Sequence, residues 1–106
     1  MNPYRTCFLL VIAVGQICIA NAGPLEDRGQ RILTRLCAGC HAVGKTGSSP
    51  HRGAPPFRSI SDRYDINELT ERMSEQLVST HPDMPDFRFS EADAKAARAY
   101  LYSIQR

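Results

Sequence analysis

The chain has 106 residues, enough for a single domain, and 13 basic against 11 acidic residues give it a formal net charge of +2. A net charge this small gives no electrostatic reason to expect a nucleic acid or an anionic membrane as a partner. Of its four cysteines, two lie within the first 22 residues, and the remaining pair, Cys37 and Cys40, is too small for a disulfide framework.

The first 22 residues have the pattern of a secretory signal peptide. Arg5 is followed by an uncharged stretch of 14 residues from Cys7 to Ala20, and the sequence Ala-Asn-Ala at 20–22 is a typical cleavage site. An uncleaved membrane anchor is the weaker interpretation, because a membrane span needs about 20 apolar residues. We therefore predict a signal peptide at 1–22 and a mature domain at 23–106 that has no stable membrane insertion.

The first predicted helix of this domain begins at Pro24, because proline is tolerated in the first turn of a helix. One face of the helix then carries four apolar residues and a glycine, namely Leu25, Gly29, Ile32, Leu33 and Leu36. Glycine within a helix costs about 1 kcal/mol relative to alanine, so we expect another backbone to pass close to Gly29. The helix leads directly to Cys37.

Residues 37–41 read Cys-Ala-Gly-Cys-His, a C-x-x-C-H motif, which is the attachment signature of c-type haem. Two thiols at this spacing can each form a thioether with one vinyl group of the porphyrin, and the next imidazole can bind the iron. A thioredoxin-like dithiol would lie in a βαβ pattern, and a zinc site would need a second ligand pair at short spacing. The sequence has neither, so we predict one haem c, bound covalently through Cys37 and Cys40, with His41 as an iron ligand.

Two more helices are predicted beyond the motif. Residues 42–57 are rich in glycine, serine and proline and are expected to form a loop, followed by a short helical turn at 59–64. Asp65 has the position of an N-cap, with Glu68 three residues later, and a helix is predicted from there to about Ser79.

Residues 81–85, His-Pro-Asp-Met-Pro, interrupt the helical pattern and are expected to form a second loop. Ser90 then caps a last helix, with Asp93 at the capping-box position. The predicted inner face of this helix consists of Ala94, Ala97, Leu101 and Ile104, with Tyr100 alongside. The sequence shows no strand pattern and no repeat, so the predicted fold class is all-α.

A methionine is the expected sixth ligand of the iron, because a thioether fills this position in many cytochromes that transfer electrons. Met73 lies on the apolar face of the second helix and is expected in the core. Met84 lies between two prolines in the second loop, where no apolar pattern explains it. We predict Met84 as the ligand, since a loop stiffened by proline loses less entropy on ligation. His51 and His81 are the alternatives.

With these features the chain resembles the small class I c-type cytochromes, the single-haem electron carriers of bacteria. The resemblance covers nearly the whole mature chain and is carried by the C-x-x-C-H motif, the Ala-Pro-Pro-Phe segment at 54–57, the segment around Met84, and the closing helix with Tyr100 and Leu101. It implies a fold of three main helices and loops wrapped around one haem. It also implies that the first and last helices cross near Gly29 and Tyr100.

The resemblance further implies that a proline carbonyl in the first loop accepts a hydrogen bond from the imidazole that binds the iron. Pro55 is the candidate here, with Pro56 as the alternative. The chain has no tryptophan, so other residues would hold the haem propionates. By position these are Arg58, Arg63 and Tyr64, each of which could equally be a solvated surface group.

The function implied by the resemblance is transfer of single electrons between redox partner proteins by an exported monomer in the bacterial periplasm, with no enzymatic activity. Lys45 and Lys95 are the only lysines, so the lysine ring with which mitochondrial cytochromes dock is absent. The alternatives are a haem sensor or enzyme with a displaceable sixth ligand, and a cytochrome subunit of a larger oxidase or dehydrogenase complex.

Overall fold

The computed structural model describes residue 15, residues 23–75 and residues 82–106. Within these ranges three α-helices follow one another as α1 (Pro24–Cys37), α2 (Ile66–Glu75) and α3 (Glu91–Ile104), with a 3₁₀ helix at Phe57–Asp62 before α2. The same ranges contain no β-strand, and Phe87 forms only an isolated bridge. The predicted all-α class is confirmed. The proposed signal peptide lies outside the described residues, apart from Gly15.

Helix α1 begins at Pro24, as the sequence predicts. Its first turn contains the acidic residues Glu26 and Asp27, whose negative charges interact favourably with the positive end of the helix dipole. Its buried residues are Gly29, Ile32 and Leu33. The prediction is wrong for Leu36, whose exposed fraction is 56%. Leu36 lies in the last turn, where the chain leaves the helix for the attachment motif, so its place in the apolar pattern does not bring it into the core.

Helices α1 and α3 make the most extensive contact between elements in the described part of the chain. A Cβ atom added to Gly29 would lie 2.6 Å from the carbonyl carbon of Ala96 and 2.8 Å from Cβ of Tyr100. No real side chain tolerates such distances, so glycine is required where the two backbones cross. The predicted close approach at Gly29 is confirmed. The fully buried small residues Ala96 and Ala97 provide the matching surface on α3.

Helix α2 begins where the capping pattern predicts, since the Glu68 N–H donates to Oδ1 of Asp65 at 2.9 Å. Ile66, Thr70 and Met73 are its buried residues. Thr70 is fully buried, and its hydroxyl accepts a hydrogen bond from Nε of Arg98 at 2.8 Å, which joins α2 to α3. The predicted end near Ser79 lies outside the described residues.

Helix α3 is capped by Ser90, whose Oγ accepts from the Asp93 N–H at 3.1 Å. All four residues of the predicted inner face, Ala94, Ala97, Leu101 and Ile104, are buried, and so is Tyr100 alongside them. At its end, Gln105 donates from Nε2 to the Phe57 carbonyl at 2.8 Å. The last helix is thereby attached to the 3₁₀ helix.

The 3₁₀ helix begins at Phe57, two residues before the helical turn predicted at 59–64. Phe57 is buried, and its N–H donates to the Ala42 carbonyl at 2.9 Å. These tertiary contacts fix the start of the turn, and the local sequence contains no signal for them. None of the helices in the described part of the chain has the length and hydropathy needed to cross a membrane.

Candidate functional site

The C-x-x-C-H motif forms a tight turn at the end of α1. The N–H groups of Cys40 and His41 both donate to the Cys37 carbonyl, at 3.1 and 2.9 Å. One carbonyl therefore gathers the two thiols and the imidazole on a single turn of chain. Both cysteines are free and half-buried.

The Cys37 thiol packs against the hydrophobic core. Burial, and then the nearby Cys40 thiol, raises the pKa of Cys37 to about 11. Cys37 is therefore a neutral thiol at physiological pH in the polypeptide.

The surface over the motif is open at Gly39. Gly39 is exposed, and apart from its two chain neighbours no heavy atom in the described part of the chain would lie within 4 Å of a Cβ atom added there. The packing of the polypeptide itself therefore does not require glycine at this position, in contrast to Gly29. The open side of the motif is accessible to a large planar group.

His41 is oriented by a hydrogen bond. Its Nδ1 lies 2.8 Å from the carbonyl oxygen of Pro55, and its ring packs on Phe57 with 4.7 Å between the ring centroids. Because a carbonyl can only accept, the proton is on Nδ1, and the lone pair of Nε2 is available to a metal. The Pro56 carbonyl instead accepts from the N–H and the hydroxyl of Ser59, both at 3.3 Å.

The two methionines that follow residue 22, Met73 and Met84, lie in different environments. Met73 is 5% exposed on α2 and belongs to the core, as predicted. Its carbonyl accepts from the Phe89 N–H at 2.7 Å, which ties the segment before α3 to α2. Met84 is half-buried in the turn at 82–84 and is not part of the core cluster.

Of the two histidines considered as alternative ligands, the structure describes only His51. His51 is half-buried, its Nδ1 accepts from the Gly53 N–H at 3.1 Å, and its Nε2 lies 3.0 Å from Oδ2 of Asp83. Both ring nitrogens thus have partners within the protein, which disfavours His51 as an iron ligand. His81 lies outside the described residues.

The structure separates the three residues considered for the propionates. Arg58 is half-buried and donates from Nη1 to the Gly47 carbonyl at 2.7 Å. Arg63 and Tyr64 are exposed and line a surface cavity beside the start of α2. Arg58 therefore contacts the first loop, whereas the other two lie at the opposite end of the 3₁₀ helix.

One residue that supports the site was not recognised as such from the sequence. Tyr100 was expected to take part only in the helix crossing, but its hydroxyl also donates to the buried Val43 carbonyl at 2.8 Å, two residues after His41. Burial raises the pKa of Tyr100. No local pattern signals a contact between residues 57 positions apart in the sequence.

The residues present fit a covalently bound haem. The motif supplies two thiols able to form thioethers and an imidazole whose Nε2 is free, and Gly39 leaves the motif open on one side. Cys37, Cys40, His41 and Pro55 are gathered at the end of α1. Met84 comes from the separate loop before α3.

Comparison with known proteins agrees with this chemistry. The family model for cytochrome c matches residues 26–105. A similar protein is cytochrome c-552 of Bradyrhizobium diazoefficiens, which is 29% identical over 105 residues, or 99% of each chain.

Proposed function

This chain belongs to the cytochrome c family, and we propose that it is an exported carrier of single electrons whose haem is held by His41 and Met84 as axial ligands. Members of the family bind haem c covalently through a cysteine pair, and the pair in this chain is Cys37 and Cys40. The haem supplies reversible one-electron chemistry between Fe(III) and Fe(II). The protein supplies attachment, orientation and shielding from water.

The hydrogen bond from His41 to Pro55 is the observation on which the proposal mainly rests. It fixes both the tautomer and the direction of the imidazole, and such support raises the basicity of the nitrogen that faces the metal. Phe57 packs on the same ring. An imidazole held on two sides reorganises little, which is what repeated electron transfer requires.

Met84 is the proposed sixth ligand because its loop gives it no structural role in the core. Pro82 and Pro85 flank it closely and restrict the backbone, so little entropy is lost when the thioether binds. Met73, by contrast, is buried in the core and its backbone supports the segment before α3. A sixth ligand from the protein favours electron transfer over the binding of external molecules.

Redox proteins are the partners expected for a member of this family. We propose that the carrier works in the periplasm, which the signal-peptide pattern at 1–22 supports, and that it is a monomer there. N-terminal sequencing of the periplasmic protein should show a chain that begins at Gly23. A membrane-bound product, or a mature chain that still begins at Met1, would contradict this.

The electron-carrier role is tested by a redox titration of the purified holoprotein with absorption spectra. We expect a reversible one-electron transition, an iron–sulfur charge-transfer band in the oxidised form, and slow, incomplete binding of carbon monoxide in the reduced form. Fast and complete binding of carbon monoxide would instead indicate a sensor or an enzyme. Purification only as part of a membrane-bound complex would indicate a subunit role.

A further inference from the structure

A side-chain contact between His51 and Asp83 joins the two loops of the candidate site. Nε2 of His51 lies 3.0 Å from Oδ2 of Asp83, although the residues are 32 positions apart. His51 belongs to the loop that follows the attachment motif, and Asp83 directly precedes Met84. The contact therefore connects the side of the site that carries His41 with the loop that carries the proposed sixth ligand.

The position of His51 is set by the attachment motif. Its N–H donates to the Cys40 carbonyl at 3.0 Å, and its own carbonyl accepts from the Ala54 N–H at 3.2 Å. Its Nδ1 accepts from the Gly53 N–H, so in the neutral ring the proton is on Nε2 and points to Asp83. His51 thus presents one donor, in a fixed direction, towards the Met84 loop.

The Met84 loop can transmit this contact because its backbone is restricted. Asp83 and Met84 are adjacent, so few backbone torsions separate the Asp83 carboxylate from the Met84 side chain. Proline fixes φ at 82 and 85, and Pro85 also restricts the backbone of Met84. The carboxylate is 65% exposed and the imidazole 33% exposed. A hydrogen bond this exposed to solvent adds little to the free energy of unfolding. Its effect should therefore appear in the orientation of the loop that carries Met84.

We propose that His51 is a positioning residue for the sixth ligand, which holds Asp83, and through it Met84, in the position for ligation. The inference rests on the proposed ligation by Met84. His51 itself does not bind the metal. Without the contact, the loop spends a larger fraction of time in an open state, and external ligands reach the iron more often.

The test measures the rate of carbon monoxide binding to the reduced holoprotein, which reports the open fraction of the loop. We expect His51→Ala and Asp83→Ala each to accelerate binding roughly two- to fivefold, the effect of losing one solvent-exposed hydrogen-bonded pair. The acceleration in the double variant should be smaller than the product of the two single effects, because both variants remove the interaction that His51 and Asp83 share. Hydrogen exchange at the Asp83 and Met84 amides should accelerate in parallel.

Two further variants separate positioning from general destabilisation. His51→Gln retains a nitrogen donor for Asp83 and should restore most of the wild-type rate. Arg28→Ala is the matched control, because it removes another exposed pair, the 2.7 Å contact between Arg28 and Asp93 that joins α1 to α3. It should leave carbon monoxide binding unchanged. If the His51→Ala protein does not fold with haem, carbon monoxide binding is measured on Asp83→Ala instead, because Asp83 is an exposed loop residue whose replacement should not prevent folding.

A wild-type rate in both single alanine variants would overturn the positioning role, as would a double variant whose acceleration is the product of the two. Acceleration in Arg28→Ala equal to that in His51→Ala would also overturn it. Failure of the proposed ligation is distinguishable, because the wild type would then lack the charge-transfer band and Met84→Ala would not change carbon monoxide binding. That result would overturn both proposals.

Discussion

The two methionines that follow residue 22, Met73 and Met84, have different surroundings, and from this difference we expect different roles. Met73 packs among buried side chains of α2 and α3, whereas Met84 is held in a loop by its proline neighbours and lies outside the core cluster. A buried methionine is a flexible apolar filler, and its sulfur needs no partner. A thioether in a stiffened loop is better placed to bind a metal.

We therefore expect Met84→Ala to abolish the charge-transfer band of the oxidised protein and to lower its potential, since the thioether stabilises Fe(II). It should also open the iron to carbon monoxide. Absorption spectra and a redox titration measure these effects. Met73→Leu is the control, and as a nearly volume-conserving change it should cost less than about 1.5 kcal/mol and leave the band intact.

The opposite result, a band that survives Met84→Ala but is lost in Met73→Leu, would exchange the two roles. If neither change affects the band, a histidine becomes the leading ligand. His81 would then be favoured over His51, whose ring nitrogens both contact other protein groups.

The hydroxyl of Tyr100 donates a hydrogen bond to the buried Val43 carbonyl. Removing it should therefore lower the free energy of unfolding more than removing an exposed hydroxyl would. Tyr100→Phe leaves the Val43 carbonyl unpaired, which should lower the free energy of unfolding by about 1–3 kcal/mol. Tyr102→Phe, two residues along the same helix at a 52% exposed position, should change it by less than about 0.5 kcal/mol. Denaturant titration of the holoproteins measures both, and equal effects would contradict the assigned role.

The alkaline stability of the protein should also depend on Tyr100. Burial raises its pKa in the folded state above the ordinary tyrosine value of 10.0. Its contribution to stability is therefore fully present below that value and is lost as the pH rises through the folded pKa. Tyr100→Phe should remove this part of the alkaline loss of stability. A denaturation series from neutral to alkaline pH tests the sign.

At the scale of secondary-structure elements, the fold depends on how closely α1 can approach α3. Gly29 brings the backbone of α1 against Ala96 and Tyr100, and the neighbouring Ile32 and Leu33 are buried by the same contact. The crossing fixes the direction of α1. Because α1 ends at Cys37, it also fixes where the attachment motif lies relative to α3.

Gly29→Ala should therefore destabilise the protein although alanine favours a helix. The helix preference is worth about 1 kcal/mol, but the new methyl group would overlap backbone atoms of α3 that cannot move aside. Overpacking of this kind costs about 1–3 kcal/mol, and we expect a net loss of stability. Thermal denaturation compares it with Gln30→Ala, at the next, exposed position of α1, which should be neutral or slightly stabilising. A Gly29→Ala protein of unchanged or higher stability would contradict the close crossing.

At the scale of the whole molecule, a domain of this size buries a small core, and a covalently attached porphyrin adds a large apolar surface to it. Cys37 packs against the hydrophobic cluster, so the attachment point is continuous with the core. Folding and cofactor attachment should therefore be linked.

We expect the mature holoprotein to exceed the polypeptide mass by one haem that acid acetone does not extract. Cys37→Ser or Cys40→Ser should give a weaker product with one thioether, and the double variant should retain no covalent haem and lose helical circular dichroism. Mass spectrometry and far-ultraviolet circular dichroism measure these effects. Two-thioether spectra in both single variants would contradict the assignment of the cysteines.

The sequence alone determined the features that depend on neighbouring residues. The caps at Asp65 and Ser90 were predictable because each donor lies three residues from its acceptor. The attachment motif is likewise contiguous, and the periodicity of α3 identified its buried face. Gly29 was recognised because an apolar helix face has no local reason to contain glycine.

Only the tertiary structure decided which groups meet across long stretches of chain. The choice of Pro55 over Pro56 as the partner of His41 depends on which carbonyl the loop turns inward. The exposure of Leu36 and the contact of His51 with Asp83 depend equally on the path of the chain. Such contacts leave no periodic trace in the sequence, because they are set by loops whose conformations are fixed by the packing of the helices around them.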